Sequence, residues 1–186
     1  MSLRVITGIA KGRKLKSAPG DTTRPITDRA KEALFDILAG DVAGSAWWDL
    51  FGGTGAVGIE ALSRGAAFAR FSDLHRAPVE TIKWNLEHCR LATNAEVRRG
   101  DAFSMLAAEP DRQFDFIYIA PPQYQLMWSR ALAVLDENPG WLAADGLAIA
   151  QIAPREYQSL PLGNLEQIEE RKYGNTLLVF YQRKQS

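Results

Sequence analysis

The sequence predicts an α/β fold: a mostly parallel seven-stranded sheet with helices on both faces, one antiparallel edge, and a short N-terminal hairpin. Three observations carry this. From Ala46 onward, strand-like and helix-like segments alternate, the pattern that builds a parallel sheet. Phe114-Asp115-Phe116-Ile117-Tyr118-Ile119 is almost continuously apolar, as a strand buried on both faces must be. The chain closes on two consecutive strand-like segments with no helix between them, so that edge turns antiparallel.

Residues 4–17 read as a hairpin, with Arg4 to Gly8 leading in and Gly12 near the turn, followed by a loop from Ser17 to Asp21. A helix starts at Thr27-Asp28 with Asp28 as its N-cap; Ala30, Ala33, Leu34, Ile37 and Leu38 form an apolar stripe at helical spacing. Strands follow over residues 46–51, 67–72, 96–99, 114–119 and 146–152. Helices run between them over 56–64 (ended by Gly65), 78–91 and 128–135. Residues 165–171 and 176–182 pair around Tyr173-Gly174-Asn175. The expected division is a basic arm, residues 1–30, and one domain, residues 31–186.

The chain is 186 residues long, 46% hydrophobic and 24% charged, which is ordinary globular composition. Its single cysteine, Cys89, reads as a small buried hydrophobe and can form no internal disulfide. No apolar run approaches the length of a membrane span and no signal-like segment opens the chain, so a cytoplasmic protein, working as a monomer and away from membranes, is expected. Net charge is zero, yet residues 1–31 hold eight basic side chains against two acidic ones. A basic arm on an acidic body suits a polyanion docking through one face. Arg4, Lys11, Arg13, Lys14, Arg24, Arg29 and Lys31 are the candidate phosphate contacts.

Ligands of open α/β sheets bind at the carboxyl ends of the strands. After the first strand come Asp49-Leu50-Phe51-Gly52-Gly53-Thr54-Gly55-Ala56-Val57-Gly58, where Gly53, Gly55 and Gly58 fit the GxGxxG spacing between a strand and a helix. The second strand ends at Asp73-Leu74, where a carboxylate can accept both ribose hydroxyls of a nucleoside. The third leads to Asp101-Ala102, placed either to cap a helix or to bond an adenine amino group. Nicotinamide oxidoreductases and S-adenosylmethionine (SAM) methyltransferases both fit this pattern. Asp49 favours the second, because a carboxylate there repels a pyrophosphate but holds the ammonium of a methionine moiety. The cofactor-binding candidates are thus Asp49, Phe51, Gly52, Gly53, Thr54, Gly55, Asp73, Leu74, Asp101 and Ala102. The fourth strand runs into Ala120-Pro121-Pro122-Gln123-Tyr124, a rigid turn. Its Ala120 and Pro121 carbonyls can orient an exocyclic base amine, and Tyr124 can stack on an extruded base. Two histidines and one cysteine at unsuitable spacing give no metal site.

These residues resemble the bacterial methyltransferases that modify guanine N2 in small-subunit ribosomal RNA. The likeness lies in Arg4-Val5-Ile6-Thr7-Gly8 with Lys11-Gly12-Arg13-Lys14-Leu15, in Arg24-Pro25-Ile26-Thr27-Asp28-Arg29-Ala30-Lys31-Glu32-Ala33-Leu34-Phe35, in Asp49 to Gly58 with Glu60 to Ala66, and in Tyr173-Gly174-Asn175-Thr176. The resemblance implies a Rossmann-like SAM methyltransferase fold, SAM as cofactor, and ribosomal RNA or a small-subunit assembly intermediate as partner. The reaction it implies is in-line displacement of the sulfonium methyl by a base nitrogen. One departure stands out. The family places Asp or Asn before the two prolines and an aromatic directly after them, whereas here Ala120 takes the first position, Gln123 intrudes and Tyr124 follows. Either the Gln123 amide or backbone carbonyls substitute, or the chain is a weak or altered homologue that binds SAM and RNA.

Overall fold

The computed structural model describes residues 3–19, 25–123 and 125–185; Asp21, Arg24 and Tyr124, named above, lie outside the described residues. The strands are β1 (Ala46–Asp49), β2 (Phe68–Asp73), β3 (Ala95–Arg99), β4 (Phe114–Ile119), β5 (Leu142–Ile152), β6 (Leu165–Tyr173) and β7 (Thr176–Arg183). The α-helices are α1 (Asp28–Leu38), α2 (Ala56–Ser63), α3 (Arg76–His88), α4 (Ala102–Ala107) and α5 (Met127–Glu137). One sheet orders the strands β3-β2-β1-β4-β5-β7-β6. Strands β1 to β5 pair in parallel, and β7 runs antiparallel to both β5 and β6. The chain builds outward from β1 to β3, then restarts at β4 on the other side of β1. That reversal opens a crevice at the carboxyl ends of β1 and β4.

Strand periodicity divides the core. The consecutive residues Trp47 and Trp48 point to opposite faces. Trp47 packs between Phe35 and Phe116, with ring centroids 5.3 and 4.8 Å away, on the face covered by α1, α2 and the arm. Trp48 meets Trp141 at 4.9 Å and Phe114 at 5.2 Å on the face covered by α4 and α5. Cys89 is buried with the first group, as expected.

The expected boundaries shift where tertiary contacts decide them. Thr27, not Asp28, caps α1, its hydroxyl accepting from the Ala30 N–H. β1 ends at Asp49, two residues early; Leu50 N–H still donates to the Tyr118 carbonyl of β4 before the chain enters the glycine turn. β5 begins at Leu142, four residues early, and reaches its partner through a register shift opposite Phe114 to Phe116.

The arm is an irregular hairpin with a single bridge, Arg4 to Lys14, and Val5 N–H donates to the Arg13 carbonyl at 3.0 Å. It does not stand apart from the body. Val5, Ala10 and Leu15 are buried in one cluster with Leu34 and Ile59, and the Ile9 and Ala10 N–H groups donate to the Ser63 carbonyl and hydroxyl. The division expected between residues 30 and 31 falls inside α1.

Candidate cofactor and base-binding site

The glycine turn after β1 is built by its own carboxylate. Asp49, only 2% exposed, accepts from the Gly58 N–H at 3.1 Å, the third residue of α2. That bond takes one of the N–H groups at the helix N-terminus that would otherwise be open to an anion. Gly53 and Gly55 adopt φ of +56° and +80°, left-handed conformations that favour glycine. Gly58 is fixed by packing, since a Cβ there would run into the Phe71 ring. Burial pushes the Asp49 carboxyl up to about 8, against the pull of the Gly58 N–H and with help from the negative Asp73.

Asp73 ties the second strand end to the first. One of its oxygens accepts from Gly53 N–H at 3.1 Å and the other from His75 N–H at 3.0 Å. Each oxygen keeps a further lone pair. Asp101 caps α4, with one oxygen accepting from the Ser104 N–H at 2.9 Å and hydroxyl at 2.8 Å. Those bonds, the hydroxyl first, hold its carboxyl below the usual carboxylate range. Among the described residues no side-chain hydrogen bond engages the other Asp101 oxygen.

These strand ends border two adjoining cavities. The larger, about 240 Å³, is lined by Leu50, Phe51, Gly53, Asp73, Leu74, Asp101 and Ala102. The smaller holds Asp49, Phe51, Gly52, Gly53, Thr54, Tyr118, Ala120 and Gln151. Phe51 and Gly53 border both. Nine of the ten cofactor candidates therefore line the pair of cavities, and Gly55 sits beneath as the α2 N-cap. Of the fourth-strand turn, Ala120 faces the smaller cavity and Pro122 the larger, while Pro121 is buried and Gln123 borders neither.

Two further sets of residues line these cavities without a local sequence signal. Ala18 and Pro19 of the arm line the larger cavity, and Pro25 and Ile26 the smaller. No local pattern marks a loop that folds back across a sheet. Tyr118 and Gln151 lie within strands and line the smaller cavity, and period-two alternation from Ala120 puts Tyr118 on the same face.

The basic arm also needs correction. Lys31 is 1% exposed, donating to the Arg4 carbonyl at 2.7 Å and pairing with Glu60 at 3.2 Å, so it is closed to phosphates. The helix turns it inward beside Leu34 and Phe35. Glu60 is fully buried and also accepts from the Ile6 and Thr7 N–H groups and from Arg64. Arg13 is partly engaged through the His88 carbonyl. Lys11, Lys14 and Arg29 are exposed, as is Arg4, which pairs with Asp28 at 3.0 Å. Among the described residues no His, Cys, Asp and Glu cluster suits a metal ion, and no helix is long and apolar enough to cross a membrane.

Known proteins share this architecture over its full length. YlbH of Bacillus subtilis, provisionally named as an rRNA methyltransferase, is 37% identical over 186 residues, covering 98% of this chain and 100% of that one. Ribosomal RNA small subunit methyltransferase D of Escherichia coli K12 is 32% identical over 97% of this chain and 90% of its own. Among solved structures, yhhF from Escherichia coli superposes with a TM-score of 0.85 at 33% identity, and HI0767 from Haemophilus influenzae with 0.81 at 28%, each over the whole of both chains. Both are provisionally described as methylating enzymes. Residues 3–182 match the family described as Conserved hypothetical protein 95. The chain belongs to that family, together with the small-subunit rRNA methyltransferases it resembles.

Proposed function

We propose that this protein is a SAM-dependent rRNA methyltransferase that modifies an exocyclic base amine of small-subunit ribosomal RNA, with guanine N2 as the target. One observation carries the cofactor reading: a buried carboxyl, Asp49, caps the Gly58 N–H in the first turn of α2 beside two further strand-end carboxylates. A dinucleotide needs that helix end for its pyrophosphate, where Asp49 already takes the Gly58 N–H and, once ionised, repels phosphate. The residues fit SAM, which is cationic and lacks phosphate.

When bound, SAM supplies a methyl carbon on a positively charged sulfur, an electrophile already activated for transfer. The protein's contribution is position and electrostatics. Asp49 receives the amino group of the methionine moiety, Asp73 the ribose hydroxyls, and the other oxygen of Asp101 the adenine amino group. Phe51, Leu74 and Ala102 provide apolar walls. At the fourth-strand turn, a backbone carbonyl, of Ala120 or Pro121, accepts one N–H bond from the target amine, which helps direct its lone pair toward the cofactor. Tyr124 stacks on the base. Arg4, Lys11, Lys14 and Arg29, with Arg24, hold RNA phosphates, and residues 1–30 act as an RNA-docking arm fused to the body.

The test is methyl transfer from tritiated SAM to small-subunit RNA or assembly particles, with the product nucleoside identified by mass spectrometry. N2-methylguanosine is the expected product. Label on another base moves the target, and no label with intact SAM binding favours the weaker homologue that Ala120 suggests.

A further inference from the structure

Ala120 carries a methyl where the family it resembles carries a hydrogen-bonding side chain. The sheet places a replacement beside it. In the parallel pairing of β4 and β5, Ile119 lies abreast of Ala150, which brings Ala120 level with Gln151 one residue on. Residues level in a parallel pair point to the same face, and Tyr118 shares it. All three border the small cavity that also holds Asp49.

The Tyr118 hydroxyl donates to Gln151 Oε1. Tyr118 is 2% exposed, and burial together with nearby Asp49 pushes its hydroxyl well above the ordinary tyrosine value. It is therefore a permanent donor at working pH. The bond pairs the amide oxygen with Tyr118. An amide has one acceptor oxygen with two lone pairs and two N–H donors. With Tyr118 using one lone pair, the other lone pair and the Nε2 donors remain, and among the described residues no hydrogen bond engages them. A half-buried carboxamide, aimed by a buried phenol and left incomplete, is a recognition element awaiting a partner.

We propose that Gln151 is a specificity-determining residue: its carboxamide, aligned by Tyr118, makes the side-chain hydrogen bonds to the target base that Ala120 cannot. This rests on the reading that a base amine is methylated at this turn. A neutral amide accepts one N–H and donates another, so it complements a base edge on which an amine N–H lies next to a ring-nitrogen acceptor. The N2 and N3 edge of guanine has this form. Gln151 is the contacting group and Tyr118 a positioning residue.

The experiment compares Gln151→Met, Gln151→Ala, Tyr118→Phe and the double variant Gln151→Met with Ala120→Asp in steady-state methyl transfer to small-subunit particles. SAM binding is measured in parallel by calorimetry. Both Gln151 variants are expected to lose at least tenfold in kcat/KM for RNA while SAM Kd stays within twofold; Tyr118→Phe is expected to lose three- to fivefold. Ala120→Asp, returning an acceptor on the adjacent strand, is expected to recover at least threefold of the Gln151→Met loss. Full activity in either Gln151 variant, a SAM Kd that weakens in step with the rate, or no recovery in the double variant overturns the assignment. Wild-type protein that binds SAM yet leaves every small-subunit particle unlabelled overturns the parent reading, and this one with it.

Discussion

Replacing Asp49 with asparagine should move stability and cofactor affinity in opposite directions. The amide oxygen of the new side chain can still accept from Gly58 N–H, so the turn keeps its geometry and only the charge is lost. In the cofactor-free protein the carboxyl is raised from 3.8 to about 8, so between those values the folded state holds a proton that the unfolded chain has released. Stability therefore falls as pH rises from about 4 to 8 and levels off above. At pH 7 the accumulated cost is up to ~4 kcal/mol, at about 1.4 kcal/mol for each pH unit above 3.8. An amide has no such cost, so Asp49→Asn should stabilise the cofactor-free protein and flatten its stability across that range. The same change removes a charge-assisted bond to a bound ammonium, roughly 1.5–3 kcal/mol, or about 10- to 150-fold in SAM Kd. Binding should also report the proton. At pH 7 about nine in ten Asp49 carboxyls carry one, and a cation ionises the group on arrival. Calorimetry in buffers of different ionisation enthalpy should register release of nearly one proton by the wild type and none by Asp49→Asn. Equal proton release in both proteins, or unchanged SAM affinity in the variant, refutes the role given to Asp49.

Three further outcomes follow from the same contacts. Glu60→Gln leaves Lys31 buried without its countercharge and weakens the arm's anchor, so denaturant melts should show a loss of about 3–5 kcal/mol; a loss under about 1 kcal/mol would mean that the arm is not held there. Lys11→Ala, Lys14→Ala and Arg29→Ala together should weaken RNA binding and flatten its logarithmic salt dependence by roughly 0.7–0.9 per lost contact, measured by fluorescence anisotropy, and an unchanged slope contradicts the arm's role. Gly58→Ala drives a methyl into the Phe71 ring and should cost about 1–3 kcal/mol in thermal or denaturant unfolding, so a neutral result would mean the α2–β2 contact is looser than the packing indicates.

What the sequence made legible was whatever is encoded locally or by strand period. Seven strands, the antiparallel edge and the chemistry of three strand ends follow from alternation and from the positions of Asp49, Asp73 and Asp101. Of the two readings of Asp101, the helix cap is formed, through one carboxylate oxygen, because that pattern is encoded within three residues. Long-range placement was not legible. Lys31 looked like one more arm cation, yet its burial depends on Glu60, 29 positions on in the sequence, meeting it across the α1–α2 contact. Gln151 stood in an apolar strand, and its place beside Ala120 depends on the register of β5 against β4, which a single sequence does not state. The covering of the cavities by Ala18, Pro19, Pro25 and Ile26 was hidden for the same reason: a loop's path is set by what it packs on.

Cofactor choice can be screened by thermal shift, where SAM should raise Tm and NADH should not. The most direct measurement is nucleoside mass spectrometry with position mapping of small-subunit rRNA from cells with and without this protein. Loss of a single N2-methylguanosine, restored by the wild-type gene but not by one encoding Asp49→Asn, is the predicted result. An identical modification pattern in the two strains would contradict it.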